Sequence, residues 1–103
     1  MNRPIKFDNY LYYSICEISQ KLYKKSGYQT YQRFCESFKN SINTNNFSPV
    51  EEKFVSSLTD ELVMIYGLDE EEIGAYIANY FLEDKYIIFE QPVLVIKSIF
   101  PYS

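Results

Sequence analysis

The chain has 103 residues, 47% of them hydrophobic, with 11 Tyr, 8 Phe, no Trp and a net charge of −4. That length holds one domain and excludes a second core, and a chain of this size buries about two-thirds of its unfolded surface and needs no covalent staples. His is absent, which removes the side chain whose ordinary pKa lies nearest neutrality and excludes Ser–His and Cys–His nucleophile pairs. The expected architecture is mostly α (α+β). One domain over 1–103 comprises four helices and a C-terminal β-hairpin, with 1–6 a loose arm because Pro4 blocks regular helix there.

The first helix is expected over 8–25, with Asp8 as N-cap. Phe7, Leu11, Ile15, Ile18 and Leu22 recur at helical spacing on one face. Lys21, Lys24 and Lys25 suit the negative end of the dipole, and Ser26-Gly27 ends the run. Tyr10, Tyr12, Tyr13 and Tyr23 spread aromatics round the circumference, so this helix packs on more than one side or keeps part of its surface for a partner. A second helix over 29–42 carries the stripe Tyr31, Phe34, Cys35, Phe38 and Ile42, and the loop Asn-Thr-Asn-Asn-Phe-Ser-Pro follows.

Ser48, Pro49 and Glu51 open a third helix as cap, first helical residue and capping-box partner. Val50, Phe54, Leu58, Leu62 and Ile65 run down one side, interrupted by Glu61, and Gly67 stops the helix. Asp69 then caps a fourth helix to residue 82. Glu72 stands at capping-box spacing, and Leu68 and Ile73 at that of a hydrophobic staple. Ile73, Tyr76, Ile77, Tyr80 and Phe81 form its apolar stripe. Glu70, Glu71 and Glu72 in its first turn gain roughly 0.3–1 kcal/mol each from the helix dipole. Gly74 inside this helix costs about 0.5–1 kcal/mol against Ala, which predicts close packing on a neighbouring helix of the same chain, or close approach of a partner. Segments 86–90 and 93–100 are rich in Ile, Val, Phe and Tyr and predict two strands joined at Gln91-Pro92; a short helix over 86–91 is the rival.

Two cysteines, Cys16 and Cys35, are too few for a disulfide scaffold and match no metal spacing. Free thiols, no signal-peptide core and no apolar run near ~20 residues make the cytoplasm the expected compartment, with no membrane contact. No catalytic residue, cofactor or metal site is expected. The run Asp69-Glu70-Glu71-Glu72 cannot converge on one ion, because consecutive helical residues diverge by about 100°.

Charge divides unevenly. Residues 1–40 carry seven Lys/Arg and three Asp/Glu, whereas 41–103 carry three Lys and eleven Asp/Glu. Small size, missing catalytic groups, surplus Tyr and an acidic second half predict an acidic inhibitor, such as an immunity protein that neutralises a basic nuclease toxin. Opposite charge speeds such association, and aromatic anchors hold it. The expected contact set is Asp60, Glu61, Asp69, Glu70, Glu71, Glu72, Tyr76 and Tyr80.

The string Leu58 to Phe89 also resembles a helix-turn-helix followed by a wing, as in winged-helix proteins. The resemblance implies a regulatory or assembly protein. Its would-be recognition helix begins Asp69-Glu70-Glu71-Glu72, which would repel phosphates in a major groove, so protein contacts are expected and nucleic acid is not. Any nucleic-acid role would fall to Lys21, Lys24, Lys25, Arg33 and Lys39. A homo-oligomer is a further expectation, from the aromatic first helix.

Overall fold

The structure is a computed structural model and describes residues 5–90. Five α-helices follow in chain order: α1 (Ile5–Leu22), α2 (Tyr31–Thr44), α3 (Pro49–Tyr66), α4 (Glu70–Leu82) and α5 (Lys85–Glu90), with a 3-10 turn at Tyr23–Ser26 after α1. Helix α4 touches each of the other four and forms the centre of the packing. No strand occurs among the described residues.

The helix boundaries follow local chemistry. Gly27 adopts φ +87° and closes the 3-10 turn, a conformation that costs a Cβ-bearing residue heavily. Helix α2 begins at Thr30, whose side chain accepts from Arg33 N, and ends at Asn45 in the left-handed region. The capping box at α3 is complete: Ser48 Oγ accepts from Glu51 N at 3.2 Å, and Glu51 Oε1 accepts from Ser48 N at 2.9 Å. The buried Glu51 also accepts from Ser41 Oγ at 2.7 Å. One carboxylate thereby starts α3 and ties it to α2.

Two segments depart from expectation. Asp8 is not a cap: α1 already begins at Ile5, inside the expected arm, and Asp8 Oδ1 accepts from Tyr76 OH of α4 at 2.6 Å. Segment 86–90 is helical, not a strand. Tyr86 and Phe89 are buried while Ile87 and Ile88 are exposed, an i, i+3 pattern rather than the alternation a strand needs. A wing beginning at Tyr86 is therefore absent. Asp84 at φ +56° turns the chain between α4 and α5 and accepts from Lys39 Nζ of α2 at 2.8 Å. That contact holds the Asp84 carboxyl below the usual range. The expected second strand at 93–100 and the arm at 1–4 lie outside the described residues.

The core is aromatic. Phe54 of α3 meets Phe34 and Phe38 of α2 edge to face, and Phe81 of α4 meets Phe38 and Phe54 in the same way, with ring centroids 4.7 Å apart for Phe34–Phe54 and for Phe38–Phe81, a geometry worth about 0.5–1.5 kcal/mol per pair beyond burial. A chain of buried hydroxyls runs through it. Ser19 Oγ donates to Cys16 O at 3.2 Å and pairs with Tyr31 OH, which lies 2.7 Å from Tyr80 OH. Donor accounting orients the chain: Ser19 has spent its proton, so Tyr31 donates to Ser19 and Tyr80 to Tyr31. Among the described residues no buried side-chain N or O lacks a partner.

Burial pushes the Tyr31 and Tyr80 hydroxyls above the ordinary value and Tyr86 up to about 12. Such groups hold their protons more tightly folded than unfolded, so their contribution is complete below pH ~10 and lost as pH rises. Urea titrations at stepped pH are expected to show stability falling above pH ~10. Tyr80→Phe should flatten that fall and cost about 0.5–1.5 kcal/mol at neutral pH for one lost hydrogen bond.

Candidate functional site

The surface feature that stands out is the corner between α3 and α4. Gly67, at φ +68°, ends α3 with its N–H donating to Val63 O at 2.8 Å. Leu68 packs half-buried against the core. Asp69 is extended, and its Oδ1 accepts from Glu72 N at 2.8 Å to start α4. Three residues thus join the two helices, with a capping bond at the end of α3 and another at the start of α4.

Those flanks carry Asp60 and Glu61 on α3 and Glu70 and Glu71 on α4, all exposed, with Asp69 between them. Asp60 sits ~9 Å along the axis from the end of α3, at 1.5 Å per residue. Along the chain between the two acidic groups come Met64, 85% exposed, and Ile65, 60% exposed. Met64 lies one turn after Asp60, and Ile65 one turn after Glu61, so each apolar side chain neighbours a carboxylate. An apolar centre with a charged rim is the anatomy of a protein-binding patch.

Of the eight expected contact residues, five carboxylates (Asp60, Glu61, Asp69, Glu70 and Glu71) share this corner. Glu72 is half-buried, one turn before Tyr76 on α4. Tyr80 is a correction: at 0% exposure, with its hydroxyl in the buried chain, it meets no partner from the folded surface. Tyr76 is half-buried, donates to Asp8 and meets the Tyr12 ring edge to face, so its bonds run inward. Met64 belongs to none of the expected stripes, and Ile65 falls on the buried stripe of α3 by period alone. The available signal is their position, two apolar residues in the last turn before a Gly cap, beyond Leu62, the last buried residue of α3. Val50 is likewise 47% exposed rather than buried.

Gly74 also departs from expectation. A Cβ built on it would meet nothing within 4 Å, so it does not serve packing within the chain. With Glu70, Glu71, Ala75 and Ala78 it forms a low outer face of α4.

Among the described residues no group of three or more His, Cys, Asp or Glu could hold a metal ion, and no helix is long and apolar enough to cross a membrane. Lys21 lies 3.8 Å from Glu17, and Lys39 is engaged by Asp84, so two members of the basic set are paired within the chain. No protein-family model matches the sequence, and searches of curated proteins and of solved structures find no match.

Two substitutions separate the corner's structural role from any binding role. Asp69→Ala should cost about 1 kcal/mol in urea unfolding through the lost cap, and Asp69→Asn only a fraction of that. Gly74→Ala should stabilise the protein by about 0.5–1 kcal/mol, since helical backbone and open space favour Ala.

Proposed function

We propose that this protein is a small acidic inhibitor that works by binding a basic protein, most like an immunity protein that neutralises a nuclease toxin. The observation that carries the reading is the corner itself: two strongly exposed apolar side chains, Met64 and Ile65, with exposed Asp60 and Glu61 one turn before them and exposed Asp69, Glu70 and Glu71 just after the Gly67 cap. Exposed apolar area of this kind costs solubility and is kept where a partner covers it. The carboxylates suit a surface rich in Lys and Arg. A nuclease groove is such a surface, because it must attract phosphates, and carboxylates seated there would take the place of the nucleic acid.

Energetically the two components divide the work. The rim charges steer encounter and raise the association rate, with a dependence on salt. Met64 and Ile65, desolvated at the centre, supply the affinity. The low face at Gly74, Ala75 and Ala78 lets a partner's backbone approach α4 closely.

The test is co-expression with the product of the adjacent open reading frame, read out by growth and co-purification. The expected result is rescue of growth and a complex that weakens as salt rises. In that complex Glu70→Lys with Glu71→Lys should slow association several-fold, and Met64→Glu should weaken binding by roughly tenfold or more, about 1.4 kcal/mol. A complex indifferent to all three changes would overturn this contact face.

A further inference from the structure

The outer surface of α3 is complementary to itself. Val50, Lys53, Ser57, Asp60 and Met64 follow at intervals of three, four, three and four residues. At 100° per residue these five positions fall within about 80° of the helix circumference, with Glu61 at its margin. Spacing of this kind forms the seam of paired helices. Here the seam faces outward: Val50 and Met64 are among the exposed large hydrophobic residues, and Lys53, Asp60 and Glu61 are exposed as well.

The order of side chains along the seam is what selects the occupant. An apolar residue stands at each end, the cation lies in the first half and the anions in the second, with a small Ser in the middle. Two such helices laid antiparallel about a two-fold axis at Ser57 place each residue opposite the one equally distant beyond Ser57. Val50 then faces Met64, and Lys53 faces Glu61, twice each by symmetry. Neither Lys53 nor Lys25 has an ion pair among the described residues.

A groove lies where Met64 of the second copy would arrive. Its volume is about 220 Å³, and Leu22, Val50 and Phe54 line it together with Lys25, Ser26, Lys53 and Ser57. A methionine side chain of four heavy atoms needs on the order of 120 Å³, at ~30 Å³ per water-sized atom, so it fits with room to adjust. Lys25 and Lys53 beside the groove match Asp60 and Glu61, which precede Met64 by one turn. Both apolar and charged features of one half of α3 are thus met by the other half.

We infer that α3 is a homodimerisation surface, pairing antiparallel with α3 of a second copy about Ser57 and seating Met64 in the groove of its partner. The interface is isologous, which closes at two chains and does not propagate. One helix pair with charged members near its centre places it among the small, reversible interfaces. The dimer does not depend on the inhibitor reading; the two share Met64, Asp60 and Glu61, so a basic partner and a second copy would compete for them.

The experiment is sedimentation equilibrium of the purified protein alone, from about 1 μM to 1 mM. The expected result is a reversible rise from the 12.3 kDa chain mass to twice that value. Lys53→Glu and Glu61→Lys should each weaken the dimer about tenfold or more, and the double charge swap in one chain should restore it. Ser57→Cys should form a cross-linked dimer on mild oxidation and Ser56→Cys should not, because only position 57 lies on the axis; the native Cys16 and Cys35 are buried and do not compete. A monomer throughout the range, a double swap no better than its parents, or cross-linking at 56 in preference to 57 would overturn the proposal. Cross-linking reports the register in the otherwise native chain should a charge variant fold poorly. A dimer without any toxin rescue would leave this inference standing and the inhibitor reading fallen.

Discussion

The constraint on which the structure depends is the burial of tyrosine hydroxyls in an aromatic core. An apolar interior can be filled by Phe and Leu with no polar accounts to settle, but Tyr31 and Tyr80 bring hydroxyls that must find partners or cost about 1–3 kcal/mol each. They find each other, and Ser19 completes the chain to the Cys16 carbonyl. The three side chains come from α4, α2 and α1, so satisfying the hydroxyls fixes how these helices sit together. Glu51 plays the corresponding part near the other end of α2, where one buried carboxylate starts α3 and accepts from Ser41.

With its interior held this way, the molecule presents a corner capped on both sides. Gly67 caps the end of α3 and Asp69 the start of α4, and α4 touches each of the other four described helices. What the corner displays is therefore positioned by the core: carboxylates that the helix starts and surfaces favour, and two apolar side chains that lie beyond the last core layer. In the proposed readings, the α3 surface offered to a basic partner at its C-terminal half carries the complement of that half nearer its start. If both proposals hold, binding by a partner and pairing with a second copy are alternatives for one surface, set by concentration and affinity.

Much of this fold is legible in the sequence where local chemistry decides it. Ser48-Pro49-Val50-Glu51 and Gly67-Leu68-Asp69 state helix ends through the conformations and hydrogen bonds that those residues favour. The stripes of α2 and α4 follow from period alone. The failures have a common physical source, the tertiary setting. Tyr86-Ile87-Ile88-Phe89 has strand-like composition, but burying Tyr86 and Phe89 together against the core needs helical spacing, and packing outweighs propensity. Tyr80 cannot be told from an interface tyrosine along the chain, because its hydroxyl partner Tyr31 is 49 residues away. Ile65 continues the stripe of α3 in period but not in burial, since the stripe outruns the helices that cover it. Of the candidate site, the carboxylates are readable as a charge bias; its apolar centre is readable only once the end of the core is known.

The most direct test of the central claim, that the α3–α4 corner is the partner-facing surface, is amide hydrogen exchange of the protein with and without the co-expressed neighbour. Slow exchange in both states around Ser19, Tyr31 and Tyr80 is expected, with added protection on binding confined to residues 60–75. Added protection on the lysine-bearing surfaces of α1 and α2, with 60–75 unchanged, would contradict the account.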